Sequence, residues 1–262
     1  MATKEIDLNL EAIVTAKKQY LTTRQARIPR AAVIALAEMQ TPPKPVLNIV
    51  TRGRHITLIG QIRQHETYDP VAAALRYARR GVDAVSMFTD SRVYTKGMDD
   101  LLLVSRGVRN TAVIAQDYVL DEYHVTEARA AGASSLVLYA SVLEPDVLRR
   151  VTSLTQRWQM STVIQVENEP QLKHAIKLSP HVLAVGLDHT FDRERDLPLL
   201  KRLKPLVPYH TKFMALGCIK TLYDVAQLIE LGVDALIVDE NLTERKDDYQ
   251  QLRLMLEFHS EW

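Results

Sequence analysis

The sequence predicts an α/β protein, a (β/α)8 TIM barrel with an N-terminal helical extension, on three observations. About eight short runs rich in Val, Ile and Leu follow Arg54, each leading through a polar loop into a helical pattern. The runs are continuously apolar, as in parallel strands covered on both faces. No Gly-rich dinucleotide fingerprint follows the first run, which disfavours an open doubly wound sheet. With 262 residues and no linker or low-complexity tract, residues 1–262 read as one domain, residues 1–53 forming the extension packed on it.

The extension holds two helical stretches, "NLEAIVTAKKQYLTTRQA" and "RAAVIALAEM", then the extended "QTPPKPV". Such a segment is expected to plug or skirt the barrel, and Lys17, Lys18, Arg24, Arg27 and Arg30 read as the solvated face of its first helix. The strands follow as "ITLIGQI", "DAVSMFT", "TAVIAQDY", "SSLVLYA", "STVIQVE", "VLAVGLD", "KFMALGC" and "DALIVDE". Between them, "DPVAAALRYARRG", "DEYHVTEARAAG" and "TLYDVAQLIELG" repeat apolar residues at helical spacing. Asp69 is placed to cap the first of these with Pro70 at its first position, and Gly81, Gly132 and Gly232 stand where a helix end wants positive φ. The terminal "DYQQLRLMLEFHSEW" is expected to be the last covering helix.

A formal net charge of +1 supplies no field to draw in nucleic acid or an anionic membrane. No apolar run approaches the roughly 20 residues of a membrane span, and "MATKEIDLNLEAIV" lacks the apolar region of a signal peptide, so a cytoplasmic protein is expected. The one cysteine, Cys218, has no partner for an internal disulfide and no companions for a zinc site; at a strand end it reads as a small buried hydrophobe. Neither a cofactor nor a metal is expected. Asp188, His189, Glu167, Asp239 and Glu240 offer only one histidine among scattered carboxylates.

Barrels of this class place their chemistry at the C-terminal strand ends. Those positions are Gln61 with Arg63, Asp90, Gln116 with Asp117, Gln165 with Glu167, Asp188 with His189, Leu216 with Gly217, and Asp239 with Glu240.

The chain resembles the indole-3-glycerol phosphate synthase family over essentially its whole length. The segments that carry the likeness are "IVTAKKQYLTTRQARIP", "DPVAAALRYARRGVDAVSMFTD", "GMDDL", "QDYVLDEYHVTEARAAGASSLVL" and "GCIKTLYDVAQLIELGVDALIV". The resemblance implies a tryptophan-pathway lyase that closes an indole ring on carboxyphenylamino-deoxyribulose phosphate with loss of carbon dioxide and water. It also implies which positions should carry that chemistry. The first-strand Glu-x-Lys pair falls on Gln61 and Arg63, and the Ser-Pro-Ser phosphate loop has no counterpart in "QIRQHETYDP". The general-acid lysine of Arg-Lys-Asp-Phe falls on Gln116, with Asp117 retained, and the fifth-strand glutamate falls on Gln165. Asn-x-Arg-Asp of the sixth strand becomes Asp188, His189, Thr190 and Phe191; Glu-Ser-Gly of the seventh becomes Leu216, Gly217 and Cys218; the phosphate-binding glycine of the eighth aligns with Asp239.

A carboxamide exchanges no protons near neutral pH, so three glutamines at these positions keep shape and hydrogen bonding while removing acid and base. A carboxylate at position 239 would repel the phosphate dianion that backbone N–H groups otherwise cradle. With acid–base groups contributing about 100- to 10,000-fold each, their joint loss implies little of the family reaction. Because alternate strands supply one layer of a barrel interior, Gln61, Gln116 and Gln165 are expected to meet in a shared network that Leu216 completes. Arg63 could hold an anion, although Glu167, Asp188 or Asp239 could equally pair with it.

These residues leave two readings. In the first, the barrel is a pseudoenzyme whose C-terminal face takes a small molecule, or which engages a protein partner or a second copy of itself. In the second, it is a diverged lyase or isomerase using Arg63, Asp117, Glu167, Asp188 and His189, with residual synthase activity a weaker third. Arg63, Asp117, Glu167, His189, Asp239 and Glu240 are the ligand-binding candidates in either case.

Overall fold

A computed structural model describes residues 10–46, 56–63, 69–90, 96–187 and 190–258. Eight parallel strands close into a barrel in sequence order. They are β1 (Thr57–Ile62), β2 (Ala84–Phe88), β3 (Ala112–Gln116), β4 (Ser135–Tyr139), β5 (Ser161–Val166), β6 (Val182–Val185), β7 (Lys212–Ile219) and β8 (Ala235–Val238). Helices α1 (Leu10–Arg27) and α2 (Arg30–Glu38) precede β1. The covering helices are α3 (Pro70–Arg79), α4 (Gly97–Gly107), α5 (Glu122–Ala130), α6 (Pro145–Arg157), α7 (Glu169–Ile176), α8 (Arg193–Leu203) and α9 (Leu222–Glu230), followed by α10 (Glu240–Glu244) and α11 (Lys246–Phe258). Among the described residues, no helix is long and apolar enough to cross a membrane.

The strands are continuously apolar because both faces are buried. Ile59, Ala84, Ile114, Val137, Val163, Ala184, Met214 and Ile237 form one cluster inside the barrel, while Leu58, Val85, Val113, Leu136, Ile164, Leu183, Phe213 and Leu236 belong to the larger cluster beneath the helices. The punctuation expected from sequence holds: Asp69 accepts from the Ala72 N–H at 2.9 Å, and Gly81, Gly132 and Gly232 have φ of 74, 86 and 78°. Gly60 serves a different need, since a Cβ there would lie 2.3 Å from the ring of Tyr77, a buried α3 side chain laid flat on β1.

The extension clasps one side of the barrel from end to end. Ile13, Lys17 and Leu21 form the buried stripe of α1. Leu21 and Val33 of α2 pack on Tyr123 of α5, whose hydroxyl donates to the Ile28 carbonyl at 2.9 Å. Beyond α2, Arg129 donates to the Gln40 and Thr41 carbonyls, and the Lys44 ammonium takes up the Val108 and Thr111 carbonyls just before β3. Val46 then joins the interior cluster at the N-terminal end of the strands.

Candidate functional site at the strand ends

The strand registers place Gln61, Gln116, Gln165 and Leu216 in one layer. Ser86 stands opposite Gln61 and Phe88 opposite Gln116, so the layer climbs two residues from β1 to β3. Gln116 pairs with Val137 and Val137 with Val163, which puts Gln165 the same two residues higher; Gln165 pairs with Ala184 and Ala184 with Met214, which does the same for Leu216. This stagger is the tilt of a closed barrel expressed along its strands. All four side chains are buried.

The three amides do not form a single network. Gln116 Nε2 donates to Ser86 Oγ at 2.6 Å and to Gln61 Oε1 at 3.3 Å. Gln165 turns away from this pair and donates to the Gly186 carbonyl at 2.7 Å and to Glu167 Oε1 at 3.2 Å. The expectation of one shared network is therefore corrected to a linked pair and a separate third. The partner is local: Gly186, just past β6, runs so close to β7 that a Cβ there would lie 2.1 Å from the Leu216 carbonyl oxygen, and its carbonyl is the acceptor that Gln165 takes.

Arg63 and Asp239 bind each other at 3.2 Å, the internal pairing that was one of the two alternatives. Asp239 also caps α10 by accepting from the Asn241 N–H at 3.0 Å, and its carboxylate lies 3.8 Å from the Cys218 sulfur. Burial, reinforced by that carboxylate, pushes the Cys218 thiol up to about 12, which makes it a poor nucleophile. Glu240 pairs with Arg76 of α3 at 2.5 Å. Glu167 is half-buried beside Gln165. Asp188 and His189 lie outside the described residues.

Asp117 is wholly enclosed. Lys17 of α1 stands 2.6 Å from one of its oxygens, while His124 Nε2 and the Thr89 hydroxyl reach the other at 3.1 and 3.0 Å. Asp90 lies 3.8 Å from the same ammonium. Burial alone would raise the Asp117 carboxyl, but His124 and then Lys17 hold it well below the usual carboxylate range. The reading of Lys17 as a solvated residue is overturned, since its side chain is fully buried. Arg24 is likewise drawn off the solvated face by Glu127 at 2.5 Å. One sequence signal marked this: Lys17 falls midway between Ile13 and Leu21 on the four-residue spacing of the apolar stripe. Sequence reasoning also missed Ser86, which links two strands of the amide layer, and the tilted pair Tyr118–Tyr139, with ring centroids 5.0 Å apart.

Comparison with known proteins places this geometry. The family described as indole-3-glycerol phosphate synthase matches residues 10–255. An indole-3-glycerol phosphate synthase of Dehalococcoides mccartyi is 30% identical over 262 residues, covering 94% of this chain and 99% of its own. One of a Roseiflexus species is 28% identical, covering 95% and 98%. Among solved structures, thiamine phosphate pyrophosphorylase from Pyrococcus furiosus superposes with a TM-score of 0.59 at 15% identity, covering 79% of this chain and 98% of its own; this likeness is one of fold alone.

Proposed function

The chain belongs to the indole-3-glycerol phosphate synthase family, and from that premise we propose that it is a pseudoenzyme of the family, a barrel that binds a small molecule or a protein partner in place of the decarboxylating ring closure. The observation that carries this reading is the bond from Gln116 Nε2 to Gln61 Oε1. By the resemblance, these two positions belong to a lysine and a glutamate. Two amides bonded to each other link β1 to β3 and offer neither a proton donor of suitable acidity nor a base. The Arg63–Asp239 pair supports the same reading, because a cation committed to a carboxylate at 3.2 Å attracts a phosphate weakly.

A second reading, a diverged lyase or isomerase, draws on Glu167, a half-buried carboxylate beside the amide layer. The enclosure of Asp117 by Lys17 and His124 counts against it, since that acid is held ionised and out of contact with solvent. The test is turnover of carboxyphenylamino-deoxyribulose phosphate by the pure protein, followed by indole fluorescence. The expected result is no rate above background. Measurable turnover overturns the pseudoenzyme reading in favour of residual synthase activity.

A further inference from the structure

We propose that the ligand of this mouth is a flat, uncharged or cationic molecule that donates hydrogen bonds, such as an aromatic amide or amine, and not a phosphate ester or carboxylate. The inference rests on the reading of the strand-end mouth as a binding site and specifies what that site selects.

The direction of each amide is fixed by its partners. Gln61 Nε2 faces the carbonyl oxygens of Ile62 and Ser86 at 3.2 and 3.1 Å, and carbonyls only accept, so the nitrogen must be where it is. Gln61 Oε1 is thereby fixed as the acceptor for Gln116 Nε2. That leaves Gln116 Oε1 as the outer end of the chain. Gln165 is fixed in the same way, because both partners of its nitrogen, the Gly186 carbonyl and the Glu167 carboxylate, are acceptors. Its Oε1 is buried and has no hydrogen-bond partner. Flipping either amide would set oxygen against oxygen, so the layer presents one buried carbonyl oxygen without a donor, that of Gln165, and ends in the carbonyl oxygen of Gln116.

A buried acceptor without a donor carries a desolvation cost that a ligand N–H or O–H relieves. Charge at Gln165 points the same way, because the Glu167 carboxylate sits against that amide and favours a donor or cation over an anion beside it, while Arg63 on the other side of the mouth is paired with Asp239. Shape is supplied by the Tyr118–Tyr139 pair. Tyr139 stands opposite Gln165 in the β4–β5 register and Tyr118 follows Gln116 by two residues, and both pack with the interior cluster, which brings aromatic surface to the same end of the barrel as the amides.

The test uses five probes of one size, benzamide, benzylamine, benzyl alcohol, benzoate and phenyl phosphate, at equal millimolar concentration. Ligand-observed NMR and thermal shift are the readouts, and synthase turnover is measured on the same preparation. Benzamide and benzylamine are expected to bind, benzyl alcohol more weakly, and benzoate and phenyl phosphate not at all. Gln165→Met should weaken benzamide by about tenfold, in line with the loss of one buried hydrogen bond. Because that change also strips the Gly186 carbonyl of its donor, Gln116→Met is tested beside it and should do the same. Benzoate or phenyl phosphate binding as tightly as benzamide, no probe binding, or both variants leaving benzamide affinity intact each overturns the inference without touching the inactivity reading. Turnover instead overturns the inactivity reading on which the inference rests.

Discussion

The Lys17 ammonium lies 2.6 Å from the Asp117 carboxylate, and neither side chain reaches solvent. One group arrives on the N-terminal helix and the other at the end of β3, so this contact fixes the extension to the barrel's C-terminal rim. A buried pair of this kind need add little net stability. Removing one member is costly because the other is left charged in a poor dielectric.

Lys17→Met, which keeps the length of the side chain, should therefore destabilise the protein by about 3–5 kcal/mol. Adding Asp117→Asn should recover a substantial part of the loss. Urea denaturation of the two single variants and the double variant checks this, and equal instability of the double and the single Lys17 variant would refute it.

Acid should release the same contact. The Asp117 carboxyl is held below its ordinary value of 3.8 after burial is outweighed by His124 and Lys17. The stability it contributes is complete above the unfolded value and is lost as pH falls beneath it toward the lower folded value. Thermal melts of the wild type between neutral pH and strongly acid pH should thus fall more steeply below about pH 4 than those of Asp117→Asn.

Gly60→Ala places a methyl 2.3 Å from a carbon of the Tyr77 ring, and overpacking of this kind costs about 1–3 kcal/mol. In a Tyr77→Ala background the same change should cost far less, which a double-mutant cycle by chemical denaturation measures directly.

The Cys218 thiol should resist alkylation in the folded protein at pH 8, being buried and pushed up to about 12. Its reaction with a thiol reagent should proceed at the rate of unfolding and accelerate in urea; fast labelling in buffer alone would contradict the burial.

Returning Gln61→Glu, Arg63→Lys, Gln116→Lys and Gln165→Glu together should restore little turnover. Asp239 would remain at the phosphate position implied by the resemblance, and "QIRQHETYDP" would still lack the Ser-Pro-Ser loop. Substantial rescue in the indole fluorescence assay would relocate the phosphate site.

The barrel was legible in the sequence because its signals are local. Asp69 and Pro70 start a helix, Gly81, Gly132 and Gly232 end helices, and continuous apolar runs record burial on both faces. Even the four-membered layer could be anticipated, since strand alternation and barrel stagger are properties of the fold. The orientation of Gln165 could not, because it depends on which way the Gly186 carbonyl faces, and the direction of one backbone carbonyl is written in no side chain. Lys17 was misread for a related reason. Its partner lies a hundred positions further along, and helical periodicity says which face a residue occupies without saying what that face meets.

The clasp formed by residues 10–46 has a consequence for how the chain comes into being. Synthesis delivers α1 and α2 well before Asp117, His124, Tyr123 and Glu127, the groups they rest on. The helices made before their partners are thus seated after them, and their stripe of Ile13 and Leu21 has its folded cover only once those partners exist. An ammonium in the middle of that stripe breaks its apolar continuity, so the same charge that is expensive to bury in the finished fold makes the uncovered helix a poorer match for any purely apolar surface.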